Sequence, residues 1–262
     1  MLRRRLGAFS QPAAARRRRA AHGPARRGSR RPGRPPLGRA HQHRRDARRG
    51  LAVPEPARAG PRADAAVELC ICCDAETLER HPFHPDLDVF RPPERQHEAL
   101  VRLVAEGTGC VSAAFAEGLT VAYVALQKPD PFERWSDDPT GKIWELGAVE
   151  VAPEWRGCGL ARRLLELTFA TGFFDDKVVI AQLLSWHYDT ERTGVSPFAY
   201  REALIRLYRG VGFRVWRTDD PEIAGRIENA LMARIGPKAP PEAVERFHRL
   251  RLAGTAPWDF SF

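Results

Sequence analysis

From about residue 66 onward, short apolar runs alternate with longer stretches in which apolar residues recur every three or four positions. Apolar runs bounded by turn residues predict β-strands, and the three-to-four spacing predicts amphipathic helices. Strands are predicted at 66–73, in two segments of 109–129, and at 142–153, 177–186, 213–218 and 229–236. Helices are predicted at 94–107, 159–172, 197–213 and 240–252. The Glu117-Gly118 pair predicts a hairpin turn within 109–129.

The order of these elements predicts the fold class. Hairpins come early in the chain and strand–helix–strand crossovers come late, which is typical of an α/β (α+β) domain with helices packed on a sheet. This domain is predicted to span residues 64–262 and to end in the C-terminal helix at 240–252.

The first 63 residues differ from this domain in composition and charge. They hold 19 arginines and no lysine against Asp46 and Glu55, whereas residues 64–262 carry 23 basic and 31 acidic side chains. An Arg/Pro/Ala-rich segment without apolar periodicity predicts a disordered extension, which a start codon assigned too far upstream would explain. A transit peptide and a polycationic arm on nucleic acid are the alternatives. Nucleic-acid binding is disfavoured, because Phe9 is the only Phe, Tyr or Trp there for base stacking.

Cysteine content and hydropathy suggest the compartment. Five cysteines, an odd number at spacings unlike a disulfide framework, predict a protein of the reducing cytoplasm. No run of 18 apolar residues occurs, so no membrane span is predicted.

The cysteines at 70, 72 and 73, together with His81 and His84, could form a zinc site. Adjacent cysteines on a strand point to opposite faces, and His-x-x-His is shorter than the usual finger spacing, so no metal is predicted.

The segment EVAPEWRGCGLARRLLE, residues 150–166, carries the strongest chemical signal. It ends a predicted strand and places Gly157 and Gly159 at the start of a predicted helix. The first turn of a helix has unpaired N–H groups and a positive dipole end, and glycines allow a bulky anion to approach them closely. The segment therefore predicts a phosphate-binding loop. Its spacing differs from the G-x-G-x-x-G dinucleotide fingerprint and from the Walker loop.

Arg-x-x-Gly-x-Ala after this strand resembles the acyl-CoA pyrophosphate loop of the GNAT superfamily of N-acetyltransferases. LYRGVGF (207–213) is similar to the segment that ends the fourth helix of those enzymes. The resemblance implies a GNAT fold, that is, a mixed, mostly antiparallel central sheet with splayed central strands, flanked by helices. It implies acetyl-CoA as the acetyl donor and no metal. The cofactor-binding residues that it implies are Val149, Val151, Arg156, Gly157, Cys158, Gly159, Leu160 and Ala161.

Four further sequence segments indicate a particular family within this superfamily. They are FHPDLDVFRPPERQHEAL (83–100), DPFERWSDD (130–138), ELGAVEVAPEWRGCG (145–159) and TDDPEI (218–223). Together they resemble the AcuA family of acetoin-utilisation proteins, bacterial protein acetyltransferases, over about residues 80 to 235. This implies acetylation of a protein lysine, with AMP-forming acetyl-CoA synthetase as the acceptor that the modification inactivates.

Acetyl transfer from a thioester to an amine needs a base, a polarised carbonyl and a proton for the leaving thiolate. The resemblance makes Glu145, at the start of the fourth strand, the first candidate base. Glu150 is the second, although in a regular strand it points to the other face unless a bulge rotates it. Tyr208 is the candidate acid, and backbone N–H groups near Val149 to Val151 would polarise the carbonyl. An acyl-cysteine at Cys158 is disfavoured, because the loop would place it against phosphates.

The segments FRPP and FERW are candidate substrate contacts, through Arg91, Pro92, Pro93 and Trp135. The prolines would hold an extended, rigid segment, and aromatic residues beside arginine suit protein contacts. Aromatic side chains that only pack a loop are the alternative. Three other functions stay open: a small-molecule amine N-acetyltransferase, a non-catalytic acyl-CoA sensor, and a nucleic-acid-binding protein that uses the arginine-rich arm.

Overall fold

A computed structural model describes residues 66–254; the predicted extension at 1–63 lies outside this range. The described strands are β1 (Glu68–Cys70), β2 (Gly109–Ala116), β3 (Leu119–Gln127), β4 (Ile143–Val151), β5 (Val178–Leu183), β6 (Arg214–Trp216) and β7 (Ala230–Ile235). The described α-helices are α1 (Ala75–Glu79), α2 (Pro93–Ala105), α3 (Leu160–Ala170), α4 (Thr190–Thr193), α5 (Pro197–Arg209), α6 (Pro221–Ala224) and α7 (Pro241–Leu250). Short 3₁₀ helices lie at Arg134–Ser136, Pro153–Trp155 and Ser185–His187.

The strands form one mixed sheet in the order β1-β2-β3-β4-β5-β7-β6. Every neighbouring pair is antiparallel except β4 and β5, which are parallel. The parallel pairing runs only from Ile143↔Val178 to Glu145↔Ile180, although β4 continues to Val151 and β5 to Leu183. The two central strands therefore diverge beyond Glu145, and the predicted sheet with splayed central strands is confirmed.

A β-bulge in β4 sets the direction of the strand's carboxylates. Leu146 lies opposite Leu126 and Ala148 lies opposite Ala125, so Gly147 is the extra residue. Successive side chains of a strand alternate between faces, and one inserted residue shifts that alternation. Glu145 and Glu150 would point to opposite faces of a regular strand. The bulge brings both to the same face of the sheet, opposite Gln127 and Tyr123 of β3.

Two hydrophobic clusters pack against the sheet. The larger cluster includes Trp144 with Leu164 of α3 and Ile205 of α5, and the smaller one includes Ile143 with Phe247 of α7. Because Ile143 and Trp144 are neighbours on β4, they face opposite sides of the sheet. Helix α7 therefore covers the face opposite α3 and α5.

The predicted element boundaries hold for most of the domain. The hairpin turn at Glu117 and Gly118 is confirmed, and both residues have positive φ (54° and 78°), as a two-residue type I′ turn requires. The first strand is shorter than predicted and covers only Glu68–Cys70. Helices α1, α4 and α6 were not predicted, since four or five residues are too few to show a helical period.

The structure also differs from the cysteine prediction, because Cys70 and Cys73 are joined in a disulfide. Among residues 66–254, no helix is long and apolar enough to cross a membrane.

Candidate active site

A cavity of about 520 Å³ passes through the gap between β4 and β5. Phe90 and Glu150 line it on the face that α2 covers, and Leu160 and Tyr208 line it on the face of α3 and α5. Residues of β4 from Leu146 to Val151 form the wall between these two ends. Ligands that enter from opposite faces of the sheet can therefore meet inside the gap.

The predicted glycine loop forms the α3 end of this cavity. Gly157 and Gly159 both have φ of +84°, a backbone conformation that side chains with a Cβ rarely adopt. Gly159 is the N-cap of α3 and offers no side-chain cap to the first turn of the helix. A Cβ at either glycine would meet no atom within 4 Å, so the space above the loop is open for a ligand. The loop and the first turn of α3 thus present N–H groups to the cavity.

Arg156 also lines the cavity, and its side chain stabilises the loop. Its Nε donates to the carbonyl of Val151 at 2.9 Å, and its guanidinium contacts the buried carboxylate of Asp189 at 2.7 Å. Its own backbone N–H donates to the carbonyl of Pro153. That N–H therefore has a partner within the loop, although Arg156 lines the cavity, and its predicted contact with the cofactor stays a prediction. Its charge also faces Asp189, which the sequence pattern did not reveal.

The remaining loop residues divide between the cavity and the loop interior. Gly157, Gly159, Leu160 and Ala161 line the cavity. Cys158 does not, and its thiol donates to the carbonyl of Trp155 at 2.8 Å. Its thiol is therefore turned toward the loop, and the expectation that Cys158 carries no acyl group stays a prediction.

Glu150 lies at the other end of the cavity in a network of hydrogen bonds. Its carboxylate accepts from the hydroxyl of Tyr123 at 2.8 Å and from the backbone N–H of Val89 at 2.9 Å. The Tyr123 hydroxyl in turn accepts from the amide nitrogen of Gln96 at 3.1 Å. Burial raises the pKa of Glu150 to about 7, against the opposing effect of the Val89 and Tyr123 hydrogen bonds. Glu150 is therefore a carboxylate that can exchange a proton near neutral pH.

Burial also raises the pKa of Tyr123 well above its usual value, so its hydroxyl stays a hydrogen-bond donor to Glu150. Tyr123 and Gln96 were not predicted as site residues. Both lie in stretches that read as an apolar strand and an amphipathic helix, and only the strand register brings them to Glu150.

Glu145 lies five residues earlier on the same strand and the same face, but it does not line the cavity. The amide nitrogen of Gln182 donates to Glu145 and to Glu133, at 3.1 Å in each case. Burial raises the pKa of Glu145, while hydrogen bonds from Gln182 and Gln127 lower it. Gln182 itself lines the cavity, so Glu145 reaches the cavity only through this amide.

Tyr208 lies on α5, where the sequence placed it on the inner side of the helix. It lines the cavity and is 7% exposed, with its ring 5.8 Å from that of Phe213. Burial raises the pKa of its hydroxyl. The hydroxyl therefore stays protonated at neutral pH and can act as a proton donor.

Val149 and Val151 line the wall of β4 beyond the last β4–β5 pair. A strand places its N–H groups alternately on its two edges, and β3 takes those of one edge. The N–H groups on the other edge face the widening gap, where they are available to a carbonyl oxygen.

The predicted substrate contacts divide into two groups. Pro92 is extended (ψ 136°), but Pro93 is the first residue of α2, so only part of the FRPP segment has the predicted extended form. Burial lowers the pKa of Arg91, and Tyr123 lies close enough to oppose that effect. Phe90, the first residue of the segment, lines the cavity together with Val89, which precedes it. The Phe90 ring lies 5.3 Å from the ring of His187. Phe90 belongs to the predicted FRPP segment, whereas Val89 was not singled out by the sequence.

The prediction for Trp135 is wrong. Its side chain is only 1% exposed and stacks on Phe247 of α7 with 6.1 Å between ring centroids. It is a core residue of the smaller hydrophobic cluster and is not accessible to a protein substrate. The exposed aromatic residue of this segment is Phe132.

The two histidines that were considered as possible zinc ligands contact other residues. His84 contacts Glu154 at 3.1 Å, and the ring of His81 stacks on Phe115 at 4.0 Å. Within the described part of the chain, no group of three or more His, Cys, Asp or Glu residues is arranged to hold a metal ion. A reaction without a metal stays a prediction.

Comparison with known proteins agrees with this geometry. The acetyltransferase (GNAT) family matches residues 74–213, a range that includes every residue lining the cavity. The acetoin utilization protein AcuA of Bacillus subtilis (strain 168) is 38% identical over 177 residues, which cover 68% of this chain and 84% of that protein. AcuA of Bacillus licheniformis is 36% identical over the same length. The crystal structure of an acetoin utilization protein from Exiguobacterium sibiricum is 32% identical with a TM-score of 0.69, covering 73% of this chain and 96% of that one.

Proposed function

Because the chain belongs to the GNAT family of acetyltransferases, we propose that it transfers the acetyl group of acetyl-CoA to a lysine of a protein. We further propose AMP-forming acetyl-CoA synthetase as that protein, acting in the cytoplasm. The support is the likeness to acetoin utilization proteins over most of their length, together with the four sequence blocks that resemble the AcuA family.

One observation carries the chemical part of the proposal. A single cavity connects the glycine loop and Tyr208, on one face of the sheet, with Glu150 on the other face. This arrangement suits a donor that binds on the side of α3 and an acceptor amine that arrives from the side of α2. The two substrates would then meet in the gap between β4 and β5.

The donor's pyrophosphate would accept hydrogen bonds from the N–H groups of Gly157 to Ala161. Helix α3 is eleven residues long and has no acidic residue in its first turn, so nothing in that turn opposes an anion. The positive φ of both glycines keeps this surface free of side chains. Arg156 and Asp189 fix the loop conformation before the donor arrives.

The transfer itself moves three protons. The acceptor lysine gives one proton to Glu150, and the free amine attacks the thioester carbonyl. N–H groups of β4 near Val149 to Val151 stabilise the negative oxygen of the tetrahedral intermediate. The carbon–sulfur bond then breaks, and Tyr208 protonates the departing thiolate. The extra proton on the attacking nitrogen returns through solvent to Tyr208, which gives CoA and the acetylated lysine.

We assign Glu145 a positioning role in place of the base role that the resemblance first suggested. Glu145 and Glu133 both accept from the same amide nitrogen of Gln182, which fixes that side chain in the cavity wall. Glu150 has the direct access to the cavity that a base needs.

The test is to incubate the full chain with acetyl-CoA and purified AMP-forming acetyl-CoA synthetase, followed by mass spectrometry of the synthetase. We expect one lysine to be acetylated and the synthetase to lose activity. Samples without enzyme and samples with the Glu150→Gln variant control for chemical acetylation. Acetylation of polyamines or amino acids with none on the synthetase would replace the proposal with a small-molecule N-acetyltransferase. Binding of CoA without any turnover would identify a sensor.

A further inference from the structure

Four of the five cysteines lie together at the start of the sheet, far along the chain from the glycine loop. Cys70 and Cys73 form a disulfide, whereas Cys72 and Cys110 are free thiols. Acetyl transfer, as proposed above, uses none of them. The cluster therefore calls for its own chemical explanation.

The backbone holds Cys72 beside Cys110. The N–H of Cys73 donates to the carbonyl of Val111 at 2.8 Å, and the N–H of Cys72 donates to the hydroxyl of Ser112 at 3.1 Å. Cys72 has a positive φ of 49°, an uncommon conformation for a residue with a side chain. These contacts hold Cys72 against the face of β2 that carries Ser112 and Cys110.

The two members of this pair differ in access and in acidity. Cys72 is exposed and Cys110 is buried. The hydrogen bond from Cys110 lowers the pKa of Cys72 to about 7, with a smaller contribution from Ser112. The same bond, together with burial, raises the pKa of Cys110. An accessible thiolate next to a protected thiol is the arrangement that two-step thiol oxidation needs.

We propose that Cys72 and Cys110 form a redox modification site that takes a hydroperoxide and closes a second disulfide. The Cys72 thiolate attacks the outer peroxide oxygen and forms an S–O bond while the O–O bond breaks. The other oxygen takes from solvent the proton that Cys72 lost on ionisation and leaves as an alcohol, or as water when the peroxide is hydrogen peroxide. Cys72 becomes a sulfenic acid. The Cys110 sulfur then attacks the Cys72 sulfur, the S–O bond breaks, and the hydroxyl departs as water with the Cys110 proton. Two thiols are oxidised and one peroxide is reduced.

A four-cysteine metal site does not fit the same residues. Cys70 lies opposite Ala113 on β2, so it shares the face of Ala113. Cys110 and Ser112 point to the other face, because residues of a strand alternate. The cluster therefore consists of two pairs, one on each face of the sheet.

The test uses the full chain, reduced and then treated with about one equivalent of hydrogen peroxide, blocked with N-ethylmaleimide and digested with trypsin without reduction. In the wild type we expect a disulfide between the peptide at 63–80, which holds Cys72, and the peptide at 103–134, which holds Cys110. Cys72→Ser should abolish this cross-link. Cys158→Ser is the matched control, since Cys158 is also a free, exposed cysteine, and it should keep the cross-link.

A second measurement does not depend on the cross-link. Loss of the Cys110 hydrogen bond should slow alkylation of Cys72 by iodoacetamide about threefold to tenfold in Cys110→Ala, because less of Cys72 is thiolate. The proposal is overturned if the cross-link persists in Cys72→Ser, which would make Cys70 or Cys73 the partner of Cys110. Oxidation of Cys72 to a sulfinic acid with no disulfide would overturn it too. Neither measurement requires acetyl transfer, so the result is independent of the proposed function.

Discussion

Glu145 and Glu150 are two buried carboxylates on one strand and one face of the sheet, yet their surroundings differ. Glu150 receives hydrogen bonds from a tyrosine hydroxyl and a backbone N–H and lines the cavity. Glu145 is enclosed by the amides of Gln182 and Gln127 and lies behind the cavity wall. Burial raises the pKa of both. A raised pKa is thus common to both buried carboxylates, whereas access to the cavity distinguishes Glu150 as the candidate base.

Neutralising each carboxylate separately should have the largest and most different effects on activity. We expect Glu150→Gln to lower kcat/KM for acetyl transfer about a hundredfold or more, because the amine loses its proton acceptor. Glu145→Gln is the matched variant and should cost less than about fivefold, as expected for an indirect effect. Steady-state kinetics measures both. A reversed order of the two effects would return the base role to Glu145.

Binding of the donor at the glycine loop can be tested independently of both carboxylates. Gly159→Val should weaken CoA binding about tenfold to a hundredfold, since it distorts the N–H groups that would bind the pyrophosphate. Gly107→Val is the control, because Gly107 also has a positive φ (+66°) and open space around it but follows α2. Calorimetry should find CoA affinity reduced only in the first variant. Equal losses in both would mean that backbone strain, and not ligand contact, causes the effect.

Tyr208 tests whether the acid lies on the face opposite the base. Tyr208→Phe removes only the hydroxyl and should lower kcat about tenfold while CoA affinity changes little. Tyr200→Phe alters a neighbouring tyrosine that also lines the cavity, and it should leave kcat within about twofold. Full turnover in Tyr208→Phe would remove this residue from the mechanism.

Stability should respond to pH in the same sense for both carboxylates, although their effects on activity differ. The pKa of Glu150 is raised from 4.5 to about 7, so the folded chain binds its proton more tightly than the unfolded chain does. The stability that this proton provides is present below pH 4.5 and is lost as the pH rises to about 7. Glu150→Gln should therefore be more stable than the wild type at pH 8 by about 1–3 kcal/mol.

Urea unfolding at pH 5 and pH 8 measures this difference. Glu145→Gln should change stability in the same direction, because burial raises that pKa too. A wild type more stable than Glu150→Gln at pH 8 would show that the Tyr123 and Val89 hydrogen bonds outweigh the cost of burying the charge.

Much of the fold and of the loop could be predicted from sequence because the signals are local. Apolar runs, the Glu117-Gly118 turn and the glycines at the start of α3 each act within a few residues. The direction of Glu150 was harder to predict. Its visible signal is Gly147, since a glycine inside a strand often marks a bulge, but only the pairing with β3 shows that the bulge is there.

What the sequence did not reveal are contacts between residues that lie far apart in the chain. Arg156 contacts Asp189, which lies in a separate element, and Trp135 is covered by Phe247 of the last described helix. No local pattern distinguishes a loop aromatic that is exposed from one that a distant helix buries. Tyr123 and Gln96 were missed for the same reason, since their role depends on the register that brings them to Glu150.

In the proposed mechanism Glu150 takes the proton of the acceptor amine, so the pH dependence of kcat/KM should reflect the ionisation of Glu150. With acetyl-CoA synthetase, or whichever acceptor mass spectrometry establishes, the wild type and Glu145→Gln should both lose activity about tenfold per unit as the pH falls below about 7. In Glu150→Gln this fall of kcat/KM near pH 7 should be absent. Only the increase of kcat/KM with pH that follows deprotonation of the acceptor amine should remain. If the fall of kcat/KM below pH 7 persists in Glu150→Gln and disappears in Glu145→Gln, the base is Glu145 and not Glu150.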